Sequence, residues 1–307
     1  MLSVIVNFHN NSREAMNTLH SLSRAYQRDT GSLEFEVIAL DHGSQAPLDE
    51  TAVRAFGPEF IYRFIATDAV SPVAAINAAC AHARGDQLMV IIDGAHILSP
   101  SVYALTVHAF ARFSAPLVAT VPFHLGPKQQ NQSVLEGYDQ AAEDALLARV
   151  DWRQNGYRLY DIAGSFADGG LAWFGCAFES GCFALRKADW IALGGFDERF
   201  VARGGGLVNL DFFQRAVARD DLQYVMLLGE ASFHQFHGGV ASNAPATRRP
   251  WQEFHEEYRR IRGRDFARVP RRPFYLGTLP NEALGAARVS AIHGLEQWQK
   301  AVAQGEA

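Results

Sequence analysis

Cysteine is scarce in this chain of 307 residues: Cys80, Cys176 and Cys182 are the only three, and no two stand in a close-paired motif. An odd, scattered set excludes a disulfide framework and a cysteine zinc cage, and it points to the reducing cytoplasm. Long apolar runs are also lacking. No stretch approaches the roughly 20 apolar residues of a membrane span, and the opening MLSVIVNFHNN has neither the positive n-region nor the long apolar h-region of a signal peptide. There is no basic excess. With a formal net charge of −5 and 20% charged residues, nothing marks a nucleic-acid partner or an anionic membrane surface; peripheral association with membrane-bound assembly machinery through a partner stays open. Neither G-x-x-x-x-G-K-[ST] nor G-x-G-x-x-G follows the first apolar run, so kinase-type and dinucleotide-binding readings lose support.

What is present is apolar and periodic. Hydrophobic residues make up 48% of the chain, enough for one or two closely packed domains. Leu2 to Phe8 reads as a buried strand, followed by a helix over residues 12 to 27 with Ala15, Leu19, Leu22 and Tyr26 on one face. Further strand patterns run from Phe35 to Leu40, Ile61 to Ile65 and Leu88 to Ile92, with a small-residue helix from Pro72 to Ala83. Strands alternating with helices imply an α/β fold, a Rossmann-like and mostly parallel sheet flanked by helices. Ligands of such sheets sit outside the carboxyl ends of the strands. Polar residues stand at those ends: Asn7 and His9, Asp41 and Ser44, Asp93 and His96.

The second half is less regular. Leu117 to Phe123 and Gln223 to Leu228 read as strands, Ala141 to Val150, Leu207 to Ala218 and Trp251 to Arg264 as helices. The Gly- and aromatic-rich stretch 163 to 182 suits a loop facing a second substrate. The expected division is a first half over 1–115, a smaller mixed half over 116–245, and a C-terminal helical extension over 246–307.

Four segments in order carry a resemblance: SVIVNFHNN, EVIALDHGS, AAINAACAHARGD leading to LMVIIDGAHILSP, and GCFALRKADWIALGGFDERF. Over roughly residues 2 to 240 the chain resembles the family-2 glycosyltransferases with the GT-A fold. The resemblance implies a transferase that moves a sugar from a nucleoside diphosphate donor (UDP-, GDP- or dTDP-linked) to a hydroxyl of a glycan or small glycoside. It implies that Asn7 to His9 line the nucleotide pocket, that Asp41 contacts the base, that Asn77 packs under the nucleotide, and that Asp93 is the first acid of the D-x-D signature, which binds Mn²⁺ or Mg²⁺. A diphosphate leaving group gains negative charge as the glycosidic bond breaks, and a cation held by carboxylate oxygens offsets it.

The chain departs from the pattern twice. The stretch Asp93-Gly94-Ala95-His96 puts Ala95 where the second acid belongs. His96 either ligates, which would favour Mn²⁺, or caps the following turn. The acidic pair that usually follows GGFDERF is Val208-Asn209 here, leaving Asp211. An amide is no useful base near neutral pH, so Asp211 or Glu179 serves instead, or the reaction retains configuration without a protein base, or the chain binds without catalysis. A nucleotidyltransferase on a related sheet is the enzyme rival, and it lacks its Gly-rich phosphate loop here.

Late in the chain, FHQFHGGVASN offers His234 and His237 as metal or diphosphate ligands, with His237 favoured by its glycine neighbours; the alternative is a turn with two exposed histidines. Asp197 and Glu198 are expected to brace a helix–loop junction. Trp173 and Phe174 either stack on an acceptor sugar or fill the core. Arg248, Arg249, Arg271 and Arg272 are expected to solvate the surface.

Overall fold

A computed structural model describes residues 1–165, 172–239, 243–244 and 250–303. The first half alternates as its apolar periodicity predicts: β1 (Leu2–Phe8), α1 (Ser12–Ser21), β2 (Phe35–His42), α2 (Glu50–Arg54), β3 (Phe60–Ile65), α3 (Val73–His82) and β4 (Gln87–Ile91). A short β5 (His96–Leu98) and α4 (Val102–Arg112) follow. The second half holds β6 (Pro116–Leu125), α5 (Gln130–Ser133), α6 (Gln140–Arg149), β7 (Ala163–Ser165), β8 (Phe183–Arg186), α7 (Lys187–Ala192), α8 (Val208–Val217) and β9 (Gln223–His234). Last come α9 (Trp251–Arg262), β10 (Phe274–Gly277) and α10 (Leu284–Ala303).

The described strands form one mixed sheet in the order β10-β9-β6-β8-β4-β1-β2-β3, with β5 added on β9 and β7 on β6. β1 pairs in parallel with β2 and β4, and β2 with β3. β8 runs antiparallel between β4 and β6 and joins the two halves. Every residue of β1 is buried, because helices cover both faces. Leu2, Val4, Val6 and Phe8 pack with Ala15 and Leu19 of α1, whereas Ile5 points to the other face with Ile76 and Cys80 of α3. That period-2 division is what a continuous apolar run becomes in a doubly covered parallel sheet.

Two elements extend beyond what the sequence pattern indicates. β9 continues past Leu228 to His234, with a register irregularity against β6 between Ala119 and Val121. The C-terminal region, read as helical, also contributes β10, which pairs in parallel with β9 through Phe274–Gly277 at the sheet edge. No described helix is long and apolar enough to cross a membrane.

Candidate active site

The carboxyl ends of β1, β2 and β4 open into a cleft of about 580 Å³. Asn7, His9, Asn10, His42, Gly43, Asp68, Asp93, Arg203, His237 and Gly238 are among its lining residues. The chain can turn sharply behind β4 because residue 94 is glycine. A Cβ there would run into the Phe8 ring and lie 2.6 Å from the Asn7 carbonyl oxygen. The turn is fastened by the Ala95 N–H, which donates to Asp93 Oδ1 at 3.0 Å. This leaves Asp93 Oδ2 to face the cleft floor.

A row of imidazoles meets that oxygen. His96 on β5 is the register partner of His234 on β9, and His124 on β6 is the register partner of the same His234. Cross-strand partners carry their side chains on one face of the sheet, so the rings stand side by side: His96–His234 centroids are 5.0 Å apart and His124–His234 5.2 Å. His237 follows at 5.1 Å from His234. His234 Nε2 lies 3.2 Å and His237 Nε2 3.1 Å from Asp93 Oδ2.

Burial pushes the His96 imidazole down to about 3 and the His234 imidazole down to about 4. His237 is also desolvated, but the Asp93 charge outweighs this and raises it. Burial works against the Asp93 charge, yet His237 and His234 hold its carboxyl well below the usual range.

The donor set fits a divalent ion. Ligand atoms of Asp93, His96 and His234 lie within 4.8 Å of one another, and His96 Nδ1 is buried without a hydrogen-bond partner. A carboxylate with imidazoles suits Mn²⁺ and later first-row ions better than Mg²⁺. Ala95 is fully buried, so an acid at that position would be desolvated. The side chain that meets Asp93 comes from His234 at the end of β9 instead.

The other expected site residues fall in different places. Asn7 donates through Nδ2 to the Ile92 carbonyl at 3.3 Å, and its buried Oδ1 has no partner. His9 Nδ1 donates to the His42 carbonyl at 2.7 Å. Asp41 is fully buried behind the cleft wall, where Oδ2 accepts from Leu48 N at 2.8 Å and Tyr62 Oη at 3.0 Å. Asn77 binds both the N–H and the carbonyl of Phe196, at 3.0 and 2.8 Å, and lines a separate depression with Asp197, Glu198, Arg215 and Arg262.

Asp211 is 1% exposed and fully engaged: Arg262 reaches both its oxygens at 2.6 Å, and Arg215 reaches Oδ2 at 2.8 Å. It joins α8 to α9, and neither it nor Glu179 is among the residues that line the cleft. Glu179 is half-buried, and burial pushes its carboxyl up to about 7 against a 3.4 Å hydrogen bond from Asn209. Two residues on, a methyl on Gly181 would lie 2.5 Å from Ser232 Oγ and 2.9 Å from His96 Cε1. The Glu179 loop therefore abuts the histidine row.

Trp173 is core, with Nε1 donating to the Glu230 carbonyl at 3.0 Å. Asp197 pairs with Arg199 and Arg262 and braces its loop. Arg271 binds the carbonyls of Val217 and Leu222, each at 2.9 Å, and Arg272 lies over Trp298. Arg248 and Arg249 lie outside the described residues. Sequence reasoning passed over His124, Arg203 and the polar network of Arg13, Gln130 and Glu143 beneath His234.

The glycosyl transferase family 2 model matches residues 3–189. With more than half of its length matched, the chain belongs to glycosyl transferase family 2. No curated protein sequence matches it. Among solved structures it is similar to S. aureus TarS 1-349 in complex with UDP-GlcNAc, at 16% identity and a TM-score of 0.53, over 85% of this chain and 65% of that one. S. aureus TarS itself matches at 14% identity and a TM-score of 0.49, over 85% and 38%. Glucosyl-3-phosphoglycerate synthase from Mycobacterium tuberculosis, in complex with Mn²⁺, UDP and glucosyl-3-phosphoglycerate, matches at 19% identity and a TM-score of 0.42, over 76% and 71%. The chain thus spans less than two thirds of the TarS fragment's length. At such identities the likeness is one of fold, and that fold is GT-A.

Proposed function

We propose that the chain transfers a sugar from a nucleoside diphosphate donor, bound in the cleft at the strand ends, to a hydroxyl of a glycan or small glycoside. The observation that carries this reading is the Asp93 carboxylate on the cleft floor, with His234 and His237 Nε2 3.2 and 3.1 Å from one of its oxygens. Asp93, His234 and either His96 or His237 would hold the divalent ion. When bound, the ion offsets charge developing on the diphosphate. Arg203 adds a cation on the cleft wall, and it has no ion-pair partner among the described residues. Asn7 and His9 supply polar edges for the nucleotide.

Of the two acids expected as base, Glu179 is the less engaged. Asp211 spends its lone pairs on two arginines, whereas Glu179 lies beside Asn209, where the family carries its acid, with a proton affinity near neutrality. In this reading Glu179 takes the proton of the acceptor hydroxyl. A donor-binding protein without turnover is the second reading, favoured by Val208-Asn209 in place of the acidic pair.

The test is a panel of UDP-, GDP- and dTDP-sugars followed for release of the nucleoside diphosphate, with and without Mn²⁺. The UDP-GlcNAc complex of TarS makes UDP-sugars the first to try. Mn²⁺-dependent release supports transfer, binding without release supports the second reading, and no binding of any nucleotide sinks both.

A further inference from the structure

We propose that Gln130 is a positioning residue that fixes the tautomer of His234 and so presents its Nε2 lone pair to the metal position beside Asp93. The inference rests on Asp93 and His234 being metal ligands. Gln130 opens α5, is fully buried, and stands 104 residues from His234 in sequence. Its two amide ends are told apart by their partners. Nε2 donates to the main-chain carbonyls of His234 at 3.0 Å and Leu125 at 3.3 Å, and a carbonyl can only accept.

The other end, Oε1, is 2.7 Å from His234 Nδ1 and accepts from Asn243 Nδ2 at 2.8 Å. Asn243 is oriented in the same way, because its Oδ1 accepts from the N–H groups of His237 and Gly239 at 3.0 and 2.9 Å. An amide oxygen offers no hydrogen, so His234 Nδ1 must carry one. In the neutral ring the lone pair is then on Nε2.

That lone pair points at Asp93 Oδ2, 3.2 Å away. Acceptor facing acceptor is unfavourable unless a metal ion or, at low pH, a second ring proton joins them. Two ligand atoms at right angles on one ion, each about 2.1 Å from it, are separated by about 3 Å. The same amide clamps the end of β9 to the end of β6 through the His234 and Leu125 carbonyls. Ligand orientation and strand position therefore share one residue, as outer-layer partners of metal-bound histidines commonly arrange.

The test has two readouts besides activity. Long-range ¹H–¹⁵N NMR on metal-free, histidine-labelled protein, with His234→Asn for assignment, reads the tautomer. Mn²⁺ titration followed by electron paramagnetic resonance reads affinity. Wild type is expected to show the Nδ1–H tautomer at His234. Gln130→Met removes the acceptor at similar volume, and it should lose that preference and weaken Mn²⁺ binding by about 10- to 100-fold.

An Nε2–H tautomer in metal-free wild type overturns the proposal, and this result needs no variant to fold. So does a folded Gln130→Met protein with wild-type tautomer and wild-type Mn²⁺ affinity. A wild type that holds the Nδ1–H tautomer but binds no Mn²⁺ overturns the metal reading of the site, a separate failure from that of the tautomer lock.

Discussion

His96 and His234 are register partners on antiparallel strands, and their rings stand 5.0 Å apart beside Asp93. The pairing shows how a chain with Ala95 in place of the second acid can still gather a candidate set of metal ligands. The missing ligand is supplied from across the sheet, on a strand end over a hundred residues later in the chain.

Gly181→Ala tests that packing. The added methyl would lie 2.5 Å from Ser232 Oγ and 2.9 Å from His96 Cε1, so the ring or the loop must move. Overpacking of this kind costs about 1–3 kcal/mol. Thermal unfolding should report the loss, and Mn²⁺ affinity should fall with it; an unchanged melting temperature and affinity would contradict the contact.

Glu179→Gln tests the base. Removing a general base costs about a hundredfold or more in kcat, and donor affinity should stay near wild type. Burial pushes the Glu179 carboxyl up to about 7, so wild-type kcat/KM should rise with pH and level off above about 7. The variant should lack this limb. Folding stability moves the other way: the folded state holds this proton more tightly than the unfolded chain, so stability is higher near pH 4.5 and falls as pH rises towards 7. Equilibrium unfolding of wild type and variant across that window should show a steeper fall in wild type.

Asp211→Asn separates structure from chemistry. The change leaves Arg262 and Arg215 facing an amide at a 1% exposed position. Breaking such a buried pair should cost about 3 kcal/mol, read as a lower denaturant midpoint. At temperatures where the variant stays folded, kcat should remain near wild type. A folded, inactive Asp211→Asn protein would instead make Asp211 the base.

Arg203→Ala tests the diphosphate side of the cleft. A hydrogen bond to a charged group contributes about 1.5–3 kcal/mol, so UDP should bind roughly tenfold or more weakly while uridine binds alike. Equal weakening of both ligands in calorimetry would place Arg203 away from the phosphates.

The parallel half of the fold was legible because β1, β2 and β4 are covered on both faces and read as continuous apolar runs, with Asn7, Asp41 and Asp93 at their ends. Gly229 and Glu230 interrupt the apolar pattern of β9, so the sequence carries no sign that the strand runs on to His234, and the glycines beside His237 favour that residue instead. Asp211 stood out as the last acid of a recognisable segment, but its Arg262 partner is 51 residues away, and sequence spacing carries no sign of such a pair. Gln130 and His124 lie in stretches whose polarity alone names no role. Their meaning comes from register with β9.

The central claim is that Asp93 anchors a metal-dependent donor site. Calorimetric titration of UDP into wild type and Asp93→Ala, each with Mn²⁺ and with chelator, tests it directly. Wild type should bind UDP tightly only with Mn²⁺, and the variant should lose that Mn²⁺-dependent affinity while remaining folded. Equal UDP affinity in both proteins, or wild-type binding indifferent to chelator, would contradict the account.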